Sequence, residues 1–193
     1  MSTNDKDRSK QRTAHAFLEA ATKLILERGY DTVTVADIAR EADYGRSTFY
    51  LHFEDKEALV WALLRHHMTA LDEHIKKATA GLSSPMREFA AWKIIFREID
   101  GQREFFLQLD GELSRRLRQW QKTLLIARFE QQLRDGLYSI MLDVPPELGA
   151  RFIVGAILEI LDYWLMHPEQ GSADDMARMF YHLVFRRPPE EAT

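Results

Sequence analysis

Apolar residues recur at Ala14, Phe17, Leu18, Ala21, Leu24 and Ile25, the i, i+3, i+4, i+7 spacing of one helical face, and Gly29 follows as a left-handed C-terminal stop. Thr34 and Asp37 stand in the capping-box relation, and Val35, Ile38, Ala39 and Ala42 form the inner stripe of a short second helix over 35–42. Asp43, Tyr44 and Gly45 read as a tight turn, because glycine takes positive φ freely and Asp tolerates it better than most residues. A third short helix spans 46–53. Asp55 then caps a long helix over 56–79, with Leu59, Leu63, Leu71 and Ile75 inward. Ser84 followed by Pro85 is a cap with the residue best suited to a first helical position. Further helices are predicted over 85–99, 102–109, 112–137, 147–167 and 173–185, each separated from the next by Gly, Pro or Asp. No window of alternating β-branched residues competes. The pattern predicts an all-α chain of about nine helices.

Composition adds bounds. The 193 residues are 46% apolar and 11% aromatic, which is ample for a core, and the absence of cysteine excludes disulfides, thiolate metal sites and cysteine nucleophiles. The polar start lacks the apolar run of a signal peptide, and the most apolar stretch, 152–166, is interrupted by Glu159 and Asp162 and falls short of the ~20 apolar residues that span a bilayer. A soluble, cytoplasmic protein is expected. Its predicted parts are an N-terminal three-helix domain over 1–54 with a flexible arm at 1–9, a larger helical domain over 55–187, and a frayed tail at 188–193. Net charge is −4, with eight basic and eight acidic residues balanced over 1–53. Whole-chain electrostatics therefore give no nucleic-acid signal, and any DNA reading must come from local motifs.

One such motif is present. Two short helices joined by a three-residue turn have the dimensions of a helix-turn-helix, whose second helix enters the major groove. Turning about 100° per residue from Phe49 sets Phe53 beside it on the inner face. Ser47 and Leu51 then point away, with Tyr50 and Thr48 flanking them. That outward face suits groove docking, and Arg46 at the N-terminal tip is placed to fork onto a guanine. Lys6, Arg8, Lys10 and Arg12 either form a basic arm reaching DNA or are a solvated tail diluted by Asp5 and Asp7.

The stretch from Thr34 to Leu59, with Tyr44-Gly45-Arg46-Ser47-Thr48-Phe49-Tyr50-Leu51-His52-Phe53 at its centre, resembles the DNA-binding domain of the tetracycline-repressor (TetR) family of bacterial transcriptional regulators. The first helix, ending Glu27-Arg28-Gly29-Tyr30, resembles that family too. The resemblance covers roughly residues 10–65 and departs from the family at the turn, where Gly-Val-Ser is frequent and this chain has Asp43-Tyr44-Gly45. It implies base contacts from Arg46, Ser47 and Thr48, and phosphate contacts from Thr34, Tyr50, His52 and Lys56. Lys56 also stands on the first turn of a helix, where the positive dipole end favours a phosphate.

It further implies a repressor that binds a palindromic double-stranded operator as a homodimer and is released by a small, largely apolar effector. A reader of two half-sites needs a two-fold dimer. The helix over 147–167 is apolar nearly all round and needs cover on every side, either from a partner subunit or as the monomer's own central core. Phe152, Gly155, Ala156 and Glu159 on it, with Phe180 and Leu183 on the last helix, are the interface candidates. The aromatic residues Trp92, Phe96, Phe105 and Trp120, with His67 as a polar handle, are the candidates for an effector pocket, an aromatic stripe being core in the first instance. No cofactor or metal site is expected: no Glu-x-x-His pair occurs, and His67 and His74 lie two turns apart. No nucleophile elbow or phosphate-cradling loop suggests an enzyme. The alternative is a helical adaptor whose helix-turn-helix serves only packing.

Overall fold

The computed structural model describes residues 3–109, 111–136 and 144–185, with side chains from Arg8 onward. Those residues form nine α-helices and one 3-10 turn, with no strand among them. The chain divides into two compact units. The first runs to Ala70 and takes in Glu104–Ser114; the second comprises Leu71–Arg103 and the chain from Arg115. The division falls inside the long helix rather than at residue 54, because Leu59, Val60 and Leu63 are buried there. The loop after the short sixth helix also belongs to the first unit, where Tyr30 donates its N–H to the Gln108 carbonyl at 3.3 Å.

The first unit is built from α1 (Thr3–Arg28), α2 (Val35–Glu41), α3 (Arg46–Tyr50), the start of α4 (Lys56–Ala78) and most of α6 (Arg103–Leu107). Phe17, Ala21, Leu24 and Ile25 of α1 are buried, as the spacing predicts, together with Ile38, Ala39 and Phe49. The expected flexible arm is corrected: α1 is continuous from Thr3, and Arg8 and Lys10 stand exposed along it. No Gly or Pro interrupts 3–12, and once the buried turns are formed each further residue adds a hydrogen bond without a new nucleation cost. The third helix is shorter than predicted, ending at Tyr50, because Asp55 opens the next helix by accepting from the Ala58 N–H at 2.6 Å.

The turn also differs from expectation. Asp43, not Gly45, has positive φ (59°), while Gly45 is extended at φ −76°, ψ 153° and precedes the first helical residue of α3. The end of α2 dictates this. Tyr44 donates to the Ala39 carbonyl at 2.9 Å and Asp43 to that of Arg40 at 3.1 Å, the paired bonds of a Schellman ending that puts the residue after the cap in the left-handed region. Tyr44 is then delivered onto the Phe17 ring, 5.4 Å between centroids.

In the second unit, α5 (Met86–Gly101), the body of α7 (Gly111–Arg134), α8 (Pro146–Met166) and α9 (Ala173–Phe185) share one core. Pro85 is the residue before α5, one place later than the cap the sequence suggests at Ser84. The α9 start carries a second reciprocal cap: Ser172 Oγ donates to Asp175 Oδ2 at 2.6 Å and accepts from the Asp175 N–H at 3.2 Å. Helices α5 and α9 run antiparallel, since Asp174 pairs with Lys93 and Arg97 while Tyr181 lies against Phe89. Helices α7 and α8 are antiparallel as well, because Arg118 pairs with Asp162 and Arg134 with Glu147. The tight turn at Pro168–Gln170 reverses α8 into α9, so α5 and α7 face each other in opposite directions.

Asp43→Ala is expected to lower stability by about 1 kcal/mol, because alanine lacks the short polar side chain that eases the left-handed conformation. Asp43→Gly should not lose that stability. Thermal melting of the two variants checks this; equal loss in both would assign the effect to the carboxylate rather than to the backbone.

Candidate nucleic-acid interface, outer face and core polar groups

A five-residue helix is too short to hold itself together in water. What holds α3 is Phe49, fully buried, whose ring lies 5.3 Å edge-on from Phe17 and 5.6 Å from Phe53. With Phe49 anchored inward, helical geometry turns Arg46, Ser47 and Tyr50 to solvent, and Thr48 is half-buried. Leu51, just past the helix, is 75% exposed, an apolar side chain on the same outward face. Hydroxyls, a guanidinium and apolar groups on one convex surface are the set that reads base edges.

The four residues expected at phosphates are not equivalent. Tyr50 is half-exposed, its ring edge-on to that of Phe49 at 5.5 Å. Thr34 is held in its capping box: its hydroxyl donates to Asp37 Oδ2 at 2.5 Å and accepts from the Asp37 N–H at 3.2 Å. Those Thr34 hydrogen bonds keep the Asp37 carboxyl below the usual carboxylate range, with Arg40 adding to the effect. A phosphate oxygen can only accept, so Thr34 reaches one only by releasing that proton from Asp37. His52 is partly buried, 5.9 Å from the Phe17 ring, and burial, helped by the charge of Lys10, lowers its pKa. It is therefore poised to donate a neutral N–H rather than a charge.

Lys56 is also engaged within the first unit. Its Nζ donates to the carbonyls of Tyr30 at 2.6 Å and Val33 at 2.7 Å, and lies 3.9 Å from the centre of the Tyr30 ring. Burial lowers its pKa, opposed by Asp31. Two of three donors are thus spent tying the α1–α2 loop to the start of α4, which leaves one for an external phosphate.

The outer face of the second unit is apolar in a helical stripe. On α8, Leu148, Phe152, Tyr163 and Met166 are exposed, with Gly155 and the exposed, charged Glu159 between them, and Ala156 at the edge of that side is partly buried against the core that Ala150, Ile153, Val154, Ile157 and Trp164 face. A Cβ added at Gly155 meets nothing within 4 Å. Leu183 on α9 is 67% exposed. Phe180 is corrected: it is fully buried, its ring 4.5 Å from that of Trp92 and 6.1 Å from that of Phe96, and belongs to the core of the second unit rather than to an outer surface.

The five pocket candidates fall into two groups. Phe105, buried, and His67, half-buried, lie in the first unit. There His67 lines an open cleft of about 650 Å³ between α1 and α4 together with His15, Lys23 and Leu63. Trp92, Phe96 and Trp120 lie in the second unit, where Trp92 stacks on Phe129 at 5.7 Å and 8° and Phe96 packs edge-on to Trp164. The sequence reading missed three polar atoms in this unit: Glu88 Oε2, Trp92 Nε1 and Gln132 Oε1 are buried without a hydrogen-bond partner. Each such atom costs roughly 1–3 kcal/mol. The signal in the sequence was a carboxylate four residues before Trp92, on the inward face of an amphipathic helix.

The fold is that of a helix-turn-helix protein with a second helical unit. The family described as "Bacterial regulatory proteins, tetR family" matches residues 17–63. The chain is 32% identical over 164 residues to the HTH-type transcriptional repressor DhaR of Mycobacterium sp. (strain GP1), covering 75% of this chain and 80% of that protein. It is 33% identical over 92 residues to the HTH-type transcriptional regulator HbdR of Aromatoleum sp. (strain CIB), covering 47% of this chain and 40% of that one. Among solved structures, NalD of Pseudomonas aeruginosa matches with a TM-score of 0.65 at 22% identity, over 92% of this chain and 96% of that one. FadR of Bacillus subtilis matches with a TM-score of 0.66 at 19% identity, over 89% and 97%. The chain belongs to the TetR family of transcriptional regulators. No helix among the described residues is long and apolar enough to cross a membrane.

Lys56→Met, which keeps the stem but removes the ammonium, is expected to destabilise the protein by about 1.5–3 kcal/mol, the range for hydrogen bonds to a charged group. Denaturant unfolding measures it. A variant as stable as the parent would return Lys56 to a role at DNA alone.

Proposed function

We propose that this chain is a cytoplasmic repressor that grips a palindromic operator as a homodimer and releases it when a small, largely apolar effector binds the second unit. The observation that carries the reading is the arrangement around Phe49: one buried ring presents Arg46, Ser47 and Tyr50 together on a convex, solvent-facing helix. Arg46 reads a guanine, with Ser47 and Thr48 at neighbouring bases. Tyr50, the neutral His52 and the remaining donor of Lys56 grip phosphates, and Thr34 joins them only if its capping box opens.

Two recognition helices must meet half-sites roughly 34–36 Å apart, which calls for a self-complementary surface. The exposed Leu148, Phe152, Tyr163 and Met166 along one side of α8, with Gly155, Ala156 and Glu159 between them and Leu183 on α9, support that assignment, since isolated exposed apolar residues need no explanation but a helical row of them does. The relatives point the same way. DhaR is named a repressor, NalD is described as the secondary repressor of a multidrug efflux pump, and FadR of Bacillus subtilis was solved with stearoyl-CoA. The effector is assigned to the second unit, with Trp92, Phe96 and Trp120 as the residues it would meet.

Mobility shift on DNA flanking the protein's own gene tests the reading, and a chain that retains no DNA at low salt would be an adaptor instead. Arg46→Ala should lose about 1–3 kcal/mol of specific binding and relax the preference at one base pair per half-site. Uniform weakening on all sequences would make Arg46 a phosphate contact. Leu183→Asp should shift sedimentation toward monomer without lowering the melting temperature of the subunit, because the side chain is outside the core. An unaltered dimer would move the interface elsewhere.

A further inference from the structure

We propose that the second unit holds a site for a small organic cation, a protonated amine on an aromatic or branched alkyl body that also carries one hydrogen-bond acceptor, with the Glu88 carboxylate as its anchor. The inference rests on the effector reading above and names the chemical class of that effector.

Glu88 is 2% exposed, yet it is an acid on the inward face of α5. Its Oε1 accepts from Arg87 at 3.2 Å, and Arg87 is itself partly in solvent. Its Oε2 has no partner. The nearest phenol cannot supply one in this arrangement, because the Tyr181 hydroxyl donates to the Pro85 carbonyl at 3.4 Å. That phenol nonetheless registers the acid: burial, with the charge of Glu88 added, pushes its pKa up to about 12. A buried carboxylate needs full pairing, and half of this one is unpaired.

Two further atoms complete the set. Trp92 follows Glu88 by one helical turn, and its indole N–H is also unsatisfied. Trp92 stacks on Phe129, and Gln132, three residues beyond Phe129 on α7, has its amide oxygen buried without a donor. Because α5 and α7 are antiparallel, the turn preceding Trp92 faces the turn following Phe129, which sets Glu88 and Gln132 at the same level of the bundle. Two acceptors, one of them charged, and one donor are therefore unmatched within one layer walled by Phe89, Trp92, Phe129 and Tyr181. An ammonium supplies donors to the carboxylate and the amide oxygen, an oxygen on the same molecule accepts from the indole, and the ring faces attract the cation. A fatty acid or other anion would meet the Glu88 charge and be repelled.

The test uses the full chain and three compounds of one shape: a naphthyl ethanolamine, the corresponding diol and the corresponding hydroxy acid. Calorimetry should show the ethanolamine binding about tenfold or more tightly than the diol, and the acid not at all. Glu88→Gln should erase the preference for the amine while raising the melting temperature of the unliganded protein by about 2–4 °C, since the variant no longer buries a half-paired charge. Trp92→Phe, which keeps a ring but removes the N–H, should weaken the ethanolamine several-fold. Equal binding of amine and diol, no binding of any of the three, or a Glu88→Gln protein that melts lower and binds unchanged, as a water-bridged structural cluster would, overturns the proposal. Operator release separates it from the reading it rests on. An amine that binds through Glu88 without releasing DNA sinks the effector reading alone; other compounds releasing DNA equally from parent and Glu88→Gln sink this site alone.

Discussion

The edge-on contact between Phe17 and Phe49 is the constraint on which the DNA-binding unit depends. A helix of five residues has too few internal hydrogen bonds to offset its nucleation cost, so its orientation is set from outside by the ring it buries. Every outward residue of α3 inherits its direction from that one anchor. The Schellman ending of α2 fixes the other half of the geometry, carrying Tyr44 onto the same Phe17 ring and leaving Gly45 free to open α3. Lys56 closes the frame from the far side by binding the carbonyls of the α1–α2 loop. In this chain, a cation that simple helix-dipole reasoning would send to a phosphate spends most of its donors holding the platform together.

The second unit is organised around α8, which carries two apolar faces. One is filled by α5, α7 and α9; the other is left to solvent. The inner face contributes Trp164, which supports the Phe96 ring and receives Arg103 over its own ring at 4.4 Å. Packing of that density normally excludes unmatched polar atoms. The three that persist between α5 and α7 are thus the place where this core departs from the rule followed elsewhere, and such departures concentrate at functional sites.

Periodicity made the helices legible. The stripe from Phe17 to Ile25 is buried where the spacing put it, and the reciprocal cap of Thr34 with Asp37 forms where the residue types required. Boundaries were less legible because they are settled by neighbours. The chain from Thr3 continues a helix already nucleated by the core, and α3 stops early because Asp55 competes to start α4. The positive φ fell to Asp43 rather than to Gly45 because a helix ending counts residues from its own last turn and is indifferent to where the glycine lies two places on.

By itself the sequence determined the all-helical class, the helix-turn-helix and the outward set of Arg46, Ser47 and Tyr50, since these follow from local spacing and from one buried ring. Tertiary structure alone decided how individual side chains divide between core and surface. Phe152 and Phe180 are the same residue type on successive helices, yet the first is 55% exposed and the second fully buried. Only packing against α5 separates them. The same holds for Lys56, whose partners stand more than twenty residues away, and for Glu88, whose Oε2 is buried without a partner. Local pattern states which residues can be buried; only long-range contacts state which polar atoms are left without a partner.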